Sequence, residues 1–199
     1  MRKYVIILIL FFSNLNCFSS EYVNKHLGLR LNIPSGAQVV EENILKPLSE
    51  KELKEFLTVF DTNLKDFKKF INQTLFTLGY FSGPLEEGAD ASILVSIIST
   101  DDNAEIRLIT NQLIKSEEKE NDFMSFKFTE KAKKTIISNN VFLVSKGILK
   151  IKYQGEVTFS MPIYYYMTKI NNTIVLFTLS GIESKVIKLE ESLLEMKLK

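Results

Sequence analysis

A chain of 199 residues, 45% apolar and 25% charged, is long enough for one domain with a real core. Its formal net charge is +1, and leaving out Arg2 and Lys3 with residues 1–20 turns 25 basic residues into 25 − 2 = 23, against 24 acidic ones. That balance gives no electrostatic reason to expect nucleic acid or an anionic membrane as partner, and a lone cysteine, Cys17, excludes a disulfide framework.

Residues 1–20 have the three-part layout of a secretory signal. Arg2 and Lys3 precede an apolar run from Tyr4 to Phe12, and a polar, small-residue region follows from Ser13 to Ser20. The run is short for a membrane span, so export to a periplasmic or extracellular compartment is expected, with no span in the mature chain. Lipid attachment at Cys17 is the alternative, making an envelope lipoprotein, although Asn14, Leu15 and Asn16 before it match a bacterial lipobox badly.

Residues 21–199 read as a single α+β domain. Leu27, Leu29, Leu31 and Ile33 alternate with Gly28, Arg30 and Asn32, which predicts a half-buried strand, and Pro34-Ser-Gly36 ends it in a turn. Ser49-Glu-Lys-Glu52 has capping-box spacing and opens a helix to about Phe60. A longer helix through Leu64, Phe67, Ile71, Leu75 and Leu78 is expected to stop at Gly79, giving an inserted helix hairpin at about 49–79. Tyr80 and Phe81 then start a loop with Ser82-Gly-Pro84.

Ser92 to Thr100 is an apolar, β-rich run, and Asp101-Asp-Asn103 is a turn into a strand over Ala104–Thr110. Lys115 to Asp122 reads as a solvated loop, and Thr129 as the cap of a helix through Ser138. Gly147–Tyr153 is an alternating strand closed by the turn Gln154-Gly155. A long strand from Glu156 follows, in which Pro162 demands an edge or a bulge. After a turn at Lys169–Asn172, Thr173–Ser180 is apolar on both faces and should be central in a covered sheet. Ser180-Gly-Ile-Glu183 is a second capping box, opening a helix to Leu198 with Ile182, Val186, Leu189 and Leu193 as its apolar stripe. Strand clusters with short turns predict an antiparallel sheet covered by helices on its faces.

Tyr22-Val-Asn24, Leu27-Gly-Leu-Arg-Leu-Asn-Ile33 with Pro34-Ser-Gly36, the tyrosine-rich strand around Tyr164-Tyr-Tyr166, the apolar strand Thr173–Ser180 and the closing helix together resemble the two ends of PsbP-like domains. The resemblance implies an antiparallel sheet flanked by helices, an α/β/α sandwich, and a non-catalytic binding or assembly role. It leaves about residues 37–125 unaccounted for and transfers no functional residue.

Chemistry is sparse. His26 is the only histidine and sits at a strand start without partner motifs, so neither a nucleophile triad nor a histidine metal site is expected, and no cofactor. Asp101-Asp-Asn103 lacks the alternating oxygens of a calcium loop. Glu86-Glu87 and Glu117-Glu118 are the carboxylate pairs that a hydrolase, the rival reading, would need to bring together in an apolar pocket. The candidates for contact with a protein partner are Tyr80 and Phe81, two aromatics in a turn-rich loop, and Tyr165 on its strand.

Overall fold

A computed structural model describes residues 20–41, 74–82, 89–99, 105–120 and 122–198. The signal segment before Ser20 with Cys17, the capping box at Ser49, the helices expected between 49 and 73, Glu86-Glu87 and Asp101–Asn103 lie outside the described residues. Within them are eleven strands and two helices. In chain order these are β1 (Ser20–Asn24), β2 (Leu29–Ile33), β3 (Gln38–Val40), β4 (Thr74–Tyr80), β5 (Ala91–Ser99), α1 (Ile106–Glu117) and β6 (Lys119–Glu120). Next come β7 (Met124–Ile137), β8 (Asn140–Tyr153), β9 (Glu156–Ile170), β10 (Thr173–Gly181), α2 (Glu183–Leu194) and β11 (Lys197–Leu198).

Eight strands form one antiparallel sheet in the order β3-β4-β5-β10-β9-β8-β7-β6, and β1-β2-β11 form a second. The strand expected at the centre is there: β10 lies between β5 and β9. Its Val175, Phe177 and Leu179 enter one core with Val186, Leu189 and Leu193 of α2 and with Leu29 and Leu31 of β2. Its Ile174 and Leu176 enter a second core on the opposite face with Phe126, Leu149, Tyr165 and Met167, against which α1 lays Ile106, Ile109 and Leu113. The fold is α+β with a mainly antiparallel sheet, as expected. Its described helices are few, twelve residues each, and the three-stranded sheet shares one core with α2.

Strands β7 to β10 are a meander joined by the two-residue turns Ser138-Asn139, Gln154-Gly155 and Asn171-Asn172. All six residues have φ between 46° and 84°, the geometry whose twist matches that of the flanking strands.

Five local expectations are corrected. Thr74–Tyr80 is a strand, not the end of a helix, because Phe76, Leu78 and Tyr80 alternate inward; Gly79 lies inside it, where a Cβ would stand 2.9 Å from the Ala91 carbonyl oxygen. Ile106 to Thr110 is helical, since Ile106, Ile109 and Leu113 share a face and the Leu108 that suggested alternation points to solvent. The segment after Thr129 continues β7 through register shifts beside Glu130 and a positive φ at Ala132; those irregularities break the period of two and imitate helical spacing. Ser180 does not cap α2. Ile182 is the cap residue, with no side-chain cap bond, because Ser180 and Gly181 still pair with β5, and the helix ends at Leu194. Lys115–Asp122, expected as loop, holds the end of α1 and the short β6.

Candidate contact surface at the far end of the sheet

Strand β9 pairs with β10 only from Ile163 to Ile170, while its pairing with β8 continues out to Tyr153 and Glu156. Pro162 is the residue at which β10 stops, so its missing N–H falls where β9 becomes an edge. Strands β7, β8 and β9, with the short β6 along β7, therefore run on past β10. At this end Phe123, Ile148, Ile151, Tyr153, Val157 and Phe159 are 37–68% exposed. Ile151 stands opposite both Phe159 and Met124, on the face whose core α1 covers further along. Of these exposed side chains, Ile151 and Phe159 share one face of the strands, and Ile148 and Val157 belong to the other.

The other face of the same strands carries charge. Ile148 faces Lys127 and Pro162, and Lys150 faces Ser125 and Ser160. Three lysines (Lys127, Lys150 and Lys152) and one acid, Glu120, line a cavity of about 330 Å³ there, with Ile148 and Val157 as its apolar part. Glu120 bridges Lys152 at 3.1 Å and Lys127 at 3.4 Å, and these partners, Lys152 first, hold its carboxyl below the usual range. Lys150 makes no ion pair among the described residues.

Further along this face α2 takes over the cover, and a polar seam marks the join. Glu190 accepts from Lys146 Nζ at 2.5 Å and from the Tyr166 hydroxyl, and the Lys146 ammonium lies 4.5 Å from the centre of the Tyr164 ring. Burial, with the bond to Glu190, pushes the Tyr166 hydroxyl well up, so it stays a neutral donor.

The expected contact residues lie elsewhere. Tyr80 ends β4 and is 8% exposed in the core beneath Lys185, whose ammonium sits 5.7 Å from its ring. Phe81 is half-buried next to it. Tyr165 is also 8% exposed, stacked edge-on to Phe126, and donates to Glu117 at 3.2 Å; burial first, then Glu117, raises its pKa strongly. Of the three, Phe81 alone keeps appreciable surface. Nothing in the sequence marks Tyr153 on β8 and Phe159 on β9 as exposed, because alternation of apolar and polar residues there reads as an ordinary half-buried strand.

His26 is exposed in the turn between β1 and β2, and among the described residues no three His, Cys, Asp or Glu side chains are grouped to hold a metal. Glu117 and Glu118 diverge, to Tyr165 and to Lys131 respectively. Glu118 and Glu120 do share a shallow cavity with Phe126 and Phe128. Lysine partners, Lys131 at Glu118 and Lys152 at Glu120, hold both carboxyls below their usual range.

The mainly antiparallel sheet, with α2 packed into one core and α1 against the other, makes an α+β domain. No family model matches the chain, and no curated protein sequence matches it. Among solved structures, cyanobacterial PsbP (CyanoP) from Synechocystis is similar with a TM-score of 0.51 and 11% identity, over 90% of this chain and 92% of that one. Identity at that level makes this a likeness of fold. A Bacteroides thetaiotaomicron protein aligns at a TM-score of 0.43 and 12% identity, with 90% of this chain covering 48% of that one. The Saccharomyces cerevisiae Ran-binding protein Mog1p aligns at 0.41 and 9%, over 90% of this chain and 84% of its own.

Proposed function

We propose that this chain is an exported, non-catalytic binding or assembly protein with a PsbP-like domain, and that it meets a protein partner through the apolar end of β7–β9. The observation that carries this is the exposure of Ile151, Tyr153 and Phe159, on strands that outrun β10, together with Phe123 just before β7. Aromatic side chains with a polar surround are what interface centres use. Phe81, half-buried just after β4, is a second contact candidate. Export rests on the layout of residues 1–20, and the sandwich of helices about the sheet on the PsbP-like likeness.

The test is a Tyr153→Ser/Phe159→Ser double variant. Both side chains are solvent-facing, so the unfolding free energy in urea should change by no more than about 0.5 kcal/mol for each change. Capture of partner from the native envelope should fall at least tenfold. Normal capture by a stably folded variant would overturn the assignment.

A further inference from the structure

The lysine-lined face raises a separate question, because α2 covers one half of that side of the sheet and stops. Beyond the Lys146–Glu190 seam, the side chains of Lys127, Ile148, Lys150 and Val157 stand exposed. On α2 itself, Glu183, Ile187, Glu191 and Leu194 recur at spacings of four, four and three, which places them on one stripe. Ile187 and Leu194 are 46% and 45% exposed, and Glu183 and Glu191 are exposed with no ion pair among the described residues. With Lys188 and Glu195 beside it, this surface holds three glutamates and one lysine. The open half of the sheet holds three lysines and one glutamate, also around two exposed aliphatic side chains.

We infer that the occupant of the open half-face is α2 of a second copy of this chain. The two surfaces match in sign and in their apolar centres, which is the charge complementarity that fixes partner and register. They also match in size. A twelve-residue helix is about 18 Å long and about 10 Å across, and the axes of β7 and β9, with β8 between them, are about 10 Å apart. Because α2 and the open half lie on the same side of one sheet, a single two-fold rotation lets each copy place its helix in the step beside the other's. The contact is then made twice in one closed, isologous dimer. A net charge of +1 for the full chain, or 23 − 24 = −1 without residues 1–20, leaves no long-range repulsion between copies. This interface uses the charged face and stands apart from the apolar contact proposed above.

Sedimentation equilibrium on the full chain tests it. The expected species has twice the 22.9 kDa mass of the chain, and it weakens as salt is raised, since the pairs are at the surface. Lys150→Glu and Glu191→Lys should each loosen the dimer about tenfold, with Lys150→Gln and Glu191→Gln as milder controls of the same sign. Combining the two reversals should restore association to within about threefold of the original, because opposite charges again face each other across the interface. Circular dichroism should show every variant folded. A chain that stays monomeric up to high micromolar concentration would overturn the inference. So would a dimer indifferent to the single reversals, or a double variant no tighter than the sum of its parts.

Discussion

At Phe177 the ring is fully buried, tilted against Phe142 at a centroid distance of 6.1 Å, and closed over by α2. Leu189 meets the same core from the helix side. Truncating either residue to alanine should cost roughly 2–5 kcal/mol in urea unfolding, the range for large-to-small core changes that leave a cavity. Gly147 is sensitive in the opposite sense. A Cβ there would stand 2.5 Å from the Phe126 ring and 2.9 Å from the Lys127 carbonyl oxygen, so Gly147→Ala forces the ring or the strand to move. A loss of about 1–3 kcal/mol is expected on unfolding. Asp90 gives a pH signature. Its carboxylate accepts from Lys185 at 2.5 Å and from the Ser82 hydroxyl, and the Lys185 bond first, then Ser82, lowers its pKa from the ordinary 3.8. A folded-state value below the unfolded one gives stability that is present above pH 3.8 and lost as pH falls through the folded value. An Asp90→Asn variant should therefore lose less stability than the parent between pH 5 and pH 2, measured by thermal midpoints; parallel losses would contradict this.

Among the elements, the turns were the most legible. Gln154-Gly155 and the Asn171-Asn172 pair announce themselves, because residues that tolerate positive φ are few and close a hairpin wherever two strand patterns flank them. Asn172 has φ 63°, so Asn172→Ala should cost about 1 kcal/mol from the left-handed strain alone. An unchanged midpoint would mean that the hairpin closes without that geometry. The apolar strand β10 was equally readable, as two greasy faces require cover on both sides. Misreadings came where two periods fit the same letters. Leu75 and Leu78 suit a helix, yet Phe76, Leu78 and Tyr80 suit a strand, and pairing with β5 decided it. In β7 the bulges near Glu130 and Ala132 are long-range adjustments to β8, and no local pattern of residues encodes them. The second capping box failed for the same kind of reason. Gly181, at φ 125°, is held against Asp90 and Ala91, so the sheet keeps Ser180 and the helix starts later.

For the whole molecule, the sequence pointed to a PsbP-like α+β domain, and two of its three candidate contact aromatics, Tyr80 and Tyr165, lie buried. Tyr80 and Tyr165 are ordinary members of alternating strands by their letters, and only the cover supplied by Lys185 and α1 turns them inward. Tyr153 and Phe159 are similar letters, left exposed because β10 ends before reaching them. Sequence periodicity reports which side chains share a face, whereas the extent of cover is a property of the assembled sheet. The proposal of export carries its own check. The protein isolated from its native envelope should have an N-terminus near Ser20 or Glu21, and an intact Met1 on cytosolic material would contradict it. The proposed meeting of the far end of β7–β9 with a protein partner is tested by photocrosslinking. A benzophenone side chain placed at Phe159, and separately at Leu108 on the exposed side of α1, should be irradiated in native envelopes. A discrete adduct of higher mass from position 159 and none from position 108 is the predicted result; no adduct from 159, or equal adducts from both, would contradict it.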